Sequence, residues 1–131
     1  MNPQEFLSPG LTAIEVHTVR TEHTAAHLGS GAVMVLSTPS MILFMEVVAR
    51  KLLDEHLPDG YSSVGVHVDV HHRAPARVDT EVTASTEILR IEGNRVTLAV
   101  KVVQGQTTIG EGQHTRYVVE TERFLRSDAG E

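Results

Sequence analysis

The chain contains no cysteine. That excludes disulfides, thiolate zinc sites, iron–sulfur clusters and a cysteine nucleophile, and it fits a reducing cytoplasm. Tryptophan is also absent, and three Phe and two Tyr are the only other aromatics of that kind. Base-stacking platforms for single-stranded nucleic acid need more. Cations are scarce too: 11 Lys and Arg stand against 17 Asp and Glu, a formal net charge of -6. Such a balance argues against a nucleic-acid partner. Long apolar runs are missing as well. The longest, "MILFM", is broken by Glu46 before "VVA" continues, well short of a membrane span. The start, "MNPQEFLSPG", lacks the basic end and apolar stretch of a secretory signal. What these absences leave is a cytoplasmic domain that handles a small molecule, with no nucleic acid and no membrane as partner. At 131 residues one domain is expected, large enough to bury its own core without staples.

What is present reads as one strand, one long helix and four further strands. Residues 11–21, "LTAIEVHTVRT", alternate like a strand. Residues 25–39 are rich in small side chains, and Gly29 and Gly31 suit a connection. A helix is expected from Pro39 to about His56, with Thr38 as its N-cap and Pro39 at the first helical position. Met41, Met45, Val48 and Leu52 then form one apolar stripe. After the stop signal "LPDG", strands are expected at 63–72, 78–91, 95–104 and 107–120. The last stretch, 121–131, loses its periodicity and reads as a fraying tail, and residues 1–10 read as peripheral. An antiparallel sheet with one long helix must bury that helix on a sheet face. Because "MILFMEVVA" is apolar on two sides, the expectation is an α+β hotdog fold, a sheet wrapped around one central helix.

Four polar positions stand out against this frame. Glu46 lies within the apolar part of the helix, where a buried carboxylate is costly unless hydrogen-bonded; an edge position facing water is the plain alternative. Thr38 sits at the helix start, where backbone N–H groups can hold a developing oxyanion, or it is a cap and nothing more. In "SVGVHVDVHH" (63–72), strict alternation sets Val64, Val66, Val68 and Val70 on one face with His72, and His67, Asp69 and His71 on the other. His72 is then the histidine aimed at the helix, as an active group or as a satisfied core residue. The opposite row could ligate a metal, although such rows more often face water or a partner subunit. Arg116, in "HTRYVV", shares a face with His114 and Val118, which leaves its role open.

The motifs "VLSTPSMILFMEVV", "HLPDGYSSVGVHVDVHH" and "GQHTRYVV" together resemble the fluoroacetyl-CoA thioesterase family of the hotdog superfamily, in order and in spacing, from Leu36 to Val119. The resemblance implies hydrolysis of acyl-CoA thioesters without a cofactor, by homodimers whose sites lie at the subunit interface; pairing of dimers into tetramers stays open. It implies catalytic roles for Thr38, Glu46 and His72, an acyl-pocket position for Gly65 and an activity-linked Arg116. No metal is implied. Members selective for the fluorinated acyl group carry phenylalanines in the loop before the helix, where this chain has Gly29 and Ala32. The resemblance therefore extends to thioester chemistry and not to fluoroacetyl selectivity. The alternatives are a non-catalytic acyl-CoA-binding module, a metal-binding dimer built on His67, Asp69 and His71, and an enoyl-CoA hydratase or dehydratase. The threonine–glutamate spacing of eight favours the thioesterase.

Overall fold

Two tight turns organise the second half of the chain. Gly93 and Gly105 have φ of 64° and 58°, left-handed values that glycine adopts without a Cβ penalty. They join β3 (Glu81–Glu92) to β4 (Arg95–Gln104), and β4 to β5 (Thr107–Glu120), as antiparallel hairpins. β1 (Thr12–Thr18) adds to β3, and β2 (Tyr61–His72) adds to β5, both antiparallel. The sheet order is β1-β3-β4-β5-β2, so β1 and β2 are its edges. A computed structural model describes residues 1–129 of the chain.

Before the central helix comes a short one, α1 (Ala25–Leu28); the central helix, α2, spans Thr38–His56 and touches all five strands. Its stripe is as expected: Met41, Met45, Val48 and Leu52 are fully buried, joined by Phe44, Ala49 and Leu53. They pack on Val82, Ala84, Val100, Val102 and Ile109 toward the helix start, and on Ile88, Val96, Leu98 and Val118 toward its end. Each large aliphatic side chain so buried contributes about 1.5–3 kcal/mol. Gly110 lets the helix approach, since a Cβ there would collide with the Met41 sulfur.

Three features differ from the expectation. The N-cap is Ser37, whose Oγ accepts from the Ser40 N–H at 3.1 Å, and Thr38 is the first helical residue. Proline tolerates either of the first two positions, so the "STP" triplet fixed the cap only to within one residue. Strict alternation along β2 also fails. Gly65 pairs with Arg116 and His67 pairs with Thr115, which leaves Val66 as a bulge. Ser63 and Gly65 therefore share the helix-facing side with Val68, Val70 and His72, while Val64 pairs with Tyr117 on the outer side. Finally, residues 121–129 form a helix, α3 (Thr121–Ala129), anchored where the Thr121 N–H donates to the Gly60 carbonyl (2.9 Å). The last two residues of the expected tail lie outside the described ones. At the other end Leu7 is buried against the C-terminal half of α2, so the first ten residues contribute to the core.

Candidate active site

Because Ser37 takes the capping role, the Thr38 hydroxyl is free to bond elsewhere. Its Oγ1 lies 2.8 Å from His72 Nδ1. The bulge lies elsewhere on the strand and brings Gly65 to the same face as His72, although an odd number of positions separates them. At the helix start Pro39 has no N–H, and the N–H groups of Ser40 and Met41 are taken by Ser37. That leaves the Thr38 N–H as the donor at the positive end of α2. Burial holds the His72 imidazole below the ordinary histidine range, with the Ala74 backbone partly offsetting it. His72 Nε2 is shut off from solvent and makes no hydrogen bond of sound geometry among the described residues. The neutral ring can therefore accept the threonine proton at Nδ1.

A second group gathers around Arg116. Its side chain is only 6 % exposed, and its donors are nearly all used. Nε donates to Ser63 Oγ (2.7 Å), Nη2 to the Ser63 carbonyl (2.9 Å) and Nη1 to His114 Nε2 (3.1 Å). Nη1 also stands 3.9 Å from Glu46 Oε2. Burial lowers the Arg116 pKa, with Glu46 the largest opposing influence, yet a guanidinium stays charged at any working pH. His114 is buried, and its Nδ1 lies 2.9 Å from the His67 carbonyl. A carbonyl only accepts, so Nδ1 bears the proton and Nε2 presents the lone pair that receives Arg116. Gly65 completes the group: a Cβ at that position would stand 2.8 Å from Glu46 Oε2 and 3.1 Å from His114 Cε1.

Glu46 is not buried. Its side chain is 39 % exposed, beside Gly65 on the β2 edge of the sheet. Thr38 and His72 are brought together, as are Glu46, Gly65 and Arg116, but the two groups are not. Eight helical residues separate Thr38 from Glu46, about 12 Å along the axis. Ser63 and His114 were not singled out from sequence. Each stands two residues from a residue that was, Gly65 and Arg116, and the shared strand face was the available signal. His67, Asp69 and His71 pair with outer-face residues of β5, and among the described residues no three metal-ligating side chains come close enough to hold an ion.

Around these groups the surface is apolar. Val66 and Val68 on β2 are 50 % and 38 % exposed, and Leu43 and Val47 on α2 are exposed as well, Val47 on the side of Glu15 in β1. The loop that carries Gly29 and Ala32 presents Val33 and Met34 to solvent. Of the two arginines after β2, Arg73 is paired with Glu111 at 2.9 Å, while Arg77 lies exposed. No helix among the described residues is long and apolar enough to cross a membrane.

Comparison with known proteins identifies the fold and the family. The family model for FlK, fluoroacetyl-CoA-specific thioesterase, matches residues 19–122. The fluoroacetyl-CoA thioesterase of Streptantibioticus cattleyicolor is 31% identical over 90 residues, a match that covers 69% of this chain and 65% of that one, slightly under two-thirds of the relative's length. A solved structure of the fluoroacetyl-CoA thioesterase FlK superposes with a TM-score of 0.86 at 25% identity, covering 95% of this chain and 97% of that one. A hot-dog-like protein from Thermanaerovibrio acidaminovorans gives 0.89 at 30% identity, over 99% and 96% of the two chains. A thioesterase superfamily member from Thermus thermophilus gives 0.82 at 26%, over 94% and 93%. The fold is thus the hotdog fold, and the chain belongs to the FlK fluoroacetyl-CoA thioesterase family of the hotdog thioesterase superfamily.

Proposed function

We propose that this protein is an acyl-CoA thioesterase that hydrolyses a small acyl-CoA to the free acid and CoA, acting as a homodimer in the cytoplasm. The observation that carries the reading is the pairing of Thr38 with His72 at the start of the same helix that holds Glu46 beside Arg116. Relatives supply the substrate class: structures of FlK hold fluoroacetate with CoA, and acetyl-CoA. Glu46, Thr38 and His72 are the catalytic residues, while Gly65 and Arg116 shape the site.

One chain keeps its two groups about 12 Å apart, too far for both to touch one carbonyl. Antiparallel pairing of β2 with β2 of a second copy would cover Val66 and Val68 and extend the sheet. A two-fold pairing of this kind sets the His72 end of one strand beside the Gly65 end of the other. Thr38 and His72 of one subunit then face Glu46 and Arg116 of its partner across a site made by both.

The chemistry follows. The acyl carbonyl points at the Thr38 N–H, where the helix dipole favours the developing oxyanion. Glu46 takes a proton from a water that attacks the carbonyl carbon, or attacks directly to give an anhydride that water opens. The carbon–sulfur bond breaks, and the proton that Glu46 took from the water is returned through His72 to the departing thiolate, which leaves both residues as they began. A thiol with a pKa of about 8.5 is an undemanding leaving group, so a histidine held below its ordinary range is acid enough. Thr38 orients the imidazole. Small residues at Gly29 and Ala32 leave the acyl pocket without an aromatic lid, which suits acyl groups beyond fluoroacetyl.

The test is thiol release from acetyl-, fluoroacetyl-, butyryl- and phenylacetyl-CoA, with the oligomeric state read by sedimentation. Turnover of at least one substrate by a dimer is expected, and Glu46→Gln should remove nearly all of it while leaving the fold intact. A folded variant that keeps more than about a tenth of the rate would remove Glu46 from this role, since a general base contributes about 10²–10⁴-fold. CoA binding with no turnover of any substrate would favour the binding module instead.

A further inference from the structure

The geometry points to His114 as a positioning residue for the proposed thioesterase site: it ties the bulge in β2 to the guanidinium of Arg116, and through it sets where the Glu46 carboxylate stands. The role rests on the reading of Glu46 as the reacting carboxylate. His114 is 1 % exposed, so it acts only through its neighbours.

Three observations carry this. The bulge at Val66 breaks the ladder between β2 and β5, and a broken ladder strands backbone groups that must find other partners. His114 Nδ1 meets that need at the His67 carbonyl, 2.9 Å away. With Nδ1 protonated, Nε2 is obliged to accept, and the donor it meets is Arg116 Nη1 at 3.1 Å. That same Nη1 faces Glu46 Oε2 at 3.9 Å. Ser63 fixes the other two guanidinium nitrogens, so His114 is the group that holds the nitrogen nearest the carboxylate. Finally, the His114 ring lies against Gly65, whose missing side chain leaves the space that Glu46 occupies.

The bond to Arg116 exists only while the ring is neutral. A second proton at Nε2 would set two N–H groups against each other and release Nη1. Burial, the largest influence, holds His114 below the ordinary histidine range. The His67 carbonyl opposes it, Arg116 from its own strand adds to it, Glu46 from α2 opposes it, and the His67 side chain from β2 adds to it. Neutrality at pH 7 is thereby secured.

The first experiment reads the proton directly, by nitrogen-15 NMR of the full-length protein with labelled histidine, His114 being assigned by the signal lost in His114→Gln. At pH 7.5 Nδ1 is expected to be protonated and Nε2 bare; the opposite tautomer, or the doubly protonated ring, overturns the proposal. This measurement needs no turnover, so failure of the thioesterase reading would show separately, as a wild-type protein that releases no thiol. The kinetic test uses His114→Phe, which fills the volume with neither bond, and His114→Gln, whose amide can give one hydrogen bond and take one. The Phe variant is expected to lose on the order of 100-fold in kcat with little change in KM, as displacement of a reacting group by about 1 Å does. The Gln variant should recover to within about tenfold of the wild type, and the acid side of its kcat/KM profile should lose the proton step that belongs to His114, the rest remaining. A folded Phe variant within about threefold of the wild type overturns the proposal, as does a folded Gln variant as slow as Phe or with an acid side unchanged from the wild type. Should neither variant fold, the tautomer decides it, with the His114 ring then assigned in the wild-type protein through its bonds to the backbone.

Discussion

Gly65→Ala is a small change with a calculable effect. Gly65 lies in extended strand, so alanine meets no backbone strain and stiffens the unfolded chain, a gain of about 0.4–1 kcal/mol. Against it stand three contacts. The new Cβ would be 2.8 Å from Glu46 Oε2, 3.1 Å from His114 Cε1 and 3.4 Å from Arg116 Nη1. The last is ordinary contact, but the first lies roughly 0.5 Å or more inside the distance at which carbon and oxygen pack without strain. His114 and Arg116 are buried and hydrogen-bonded on both sides, so they yield little. Glu46 is half-exposed and ends a flexible side chain. The carboxylate is therefore what moves, outward and away from Arg116. Overpacking of a core costs about 1–3 kcal/mol, and relief into solvent keeps this case at the lower end, close to cancelling the backbone gain. The folded state is expected to keep its melting temperature within a few degrees. Activity should not survive so well, because a reacting group displaced by about 1 Å costs on the order of 10²-fold. The assay pairs thermal unfolding with kcat and KM for the best acyl-CoA of the panel. A variant that is folded and has kcat within threefold of the wild type would refute the argument that Gly65 exists to seat Glu46. A variant that unfolds would show that the carboxylate cannot yield.

Two further predictions concern the helix start and the histidines. Ser37→Ala and Thr38→Ala change adjacent hydroxyls but should behave oppositely: the first loses the cap and about 1 kcal/mol of stability at modest kinetic cost, and the second loses the bond to His72 and at least tenfold in kcat with little change in unfolding. Equal melting losses in the two variants would contradict the assignment of the cap. His72 and His114 both have folded pKa values below the ordinary value of 6.5, so near and below that pH the unfolded chain takes up protons first. Stability from this source is complete above about pH 6.5 and declines as pH falls toward the lower folded values. Urea unfolding from pH 8 to pH 5 should show the decline, and His72→Gln should make it shallower; a stability that rises on acidification would reverse the sign of the argument.

Much of this molecule could be read from its sequence because local and tertiary signals agree. Met41, Met45, Val48 and Leu52 fall on one face of α2 both by spacing and in the packed core, and the gaps between the strands expected at 78–91, 95–104 and 107–120 hold Gly93 and Gly105 in left-handed φ. The features that escaped depend on neighbours the sequence does not display. Strand alternation in "SVGVHVDVHH" holds only within an unbroken ladder, and the bulge at Val66 is set by how β5 pairs, some fifty residues away. His72 was placed on the correct face because it lies beyond the bulge, whereas Gly65 would have been turned outward by the same rule. The Thr38 cap failed by one residue because serine and threonine both cap helices, serine the better of the two, and proline is tolerated throughout the first turn. Arg116 looked like any strand cation. Its burial comes from Ser63 and His114, which supply the partners that let a guanidinium leave water. The C-terminal helix was missed because nothing in "TERFLRSDAGE" repeats long enough to signal one, while an anchor at Gly60 starts it.

The spacing of Thr38 and Glu46 along α2 has a genetic consequence. If the working site draws the hydroxyl from one chain and the carboxylate from another, an allele defective at Thr38 and an allele defective at Glu46 can rescue each other. Every mixed dimer then carries one wholly intact site and one that has lost both groups. Random pairing of equal amounts makes half the dimers mixed, so about a quarter of normal activity returns from two dead parents. A site built within one chain could never do this, whatever the proportions. Recessive defects in such an enzyme would fall into two complementing classes, one for each end of a single helix.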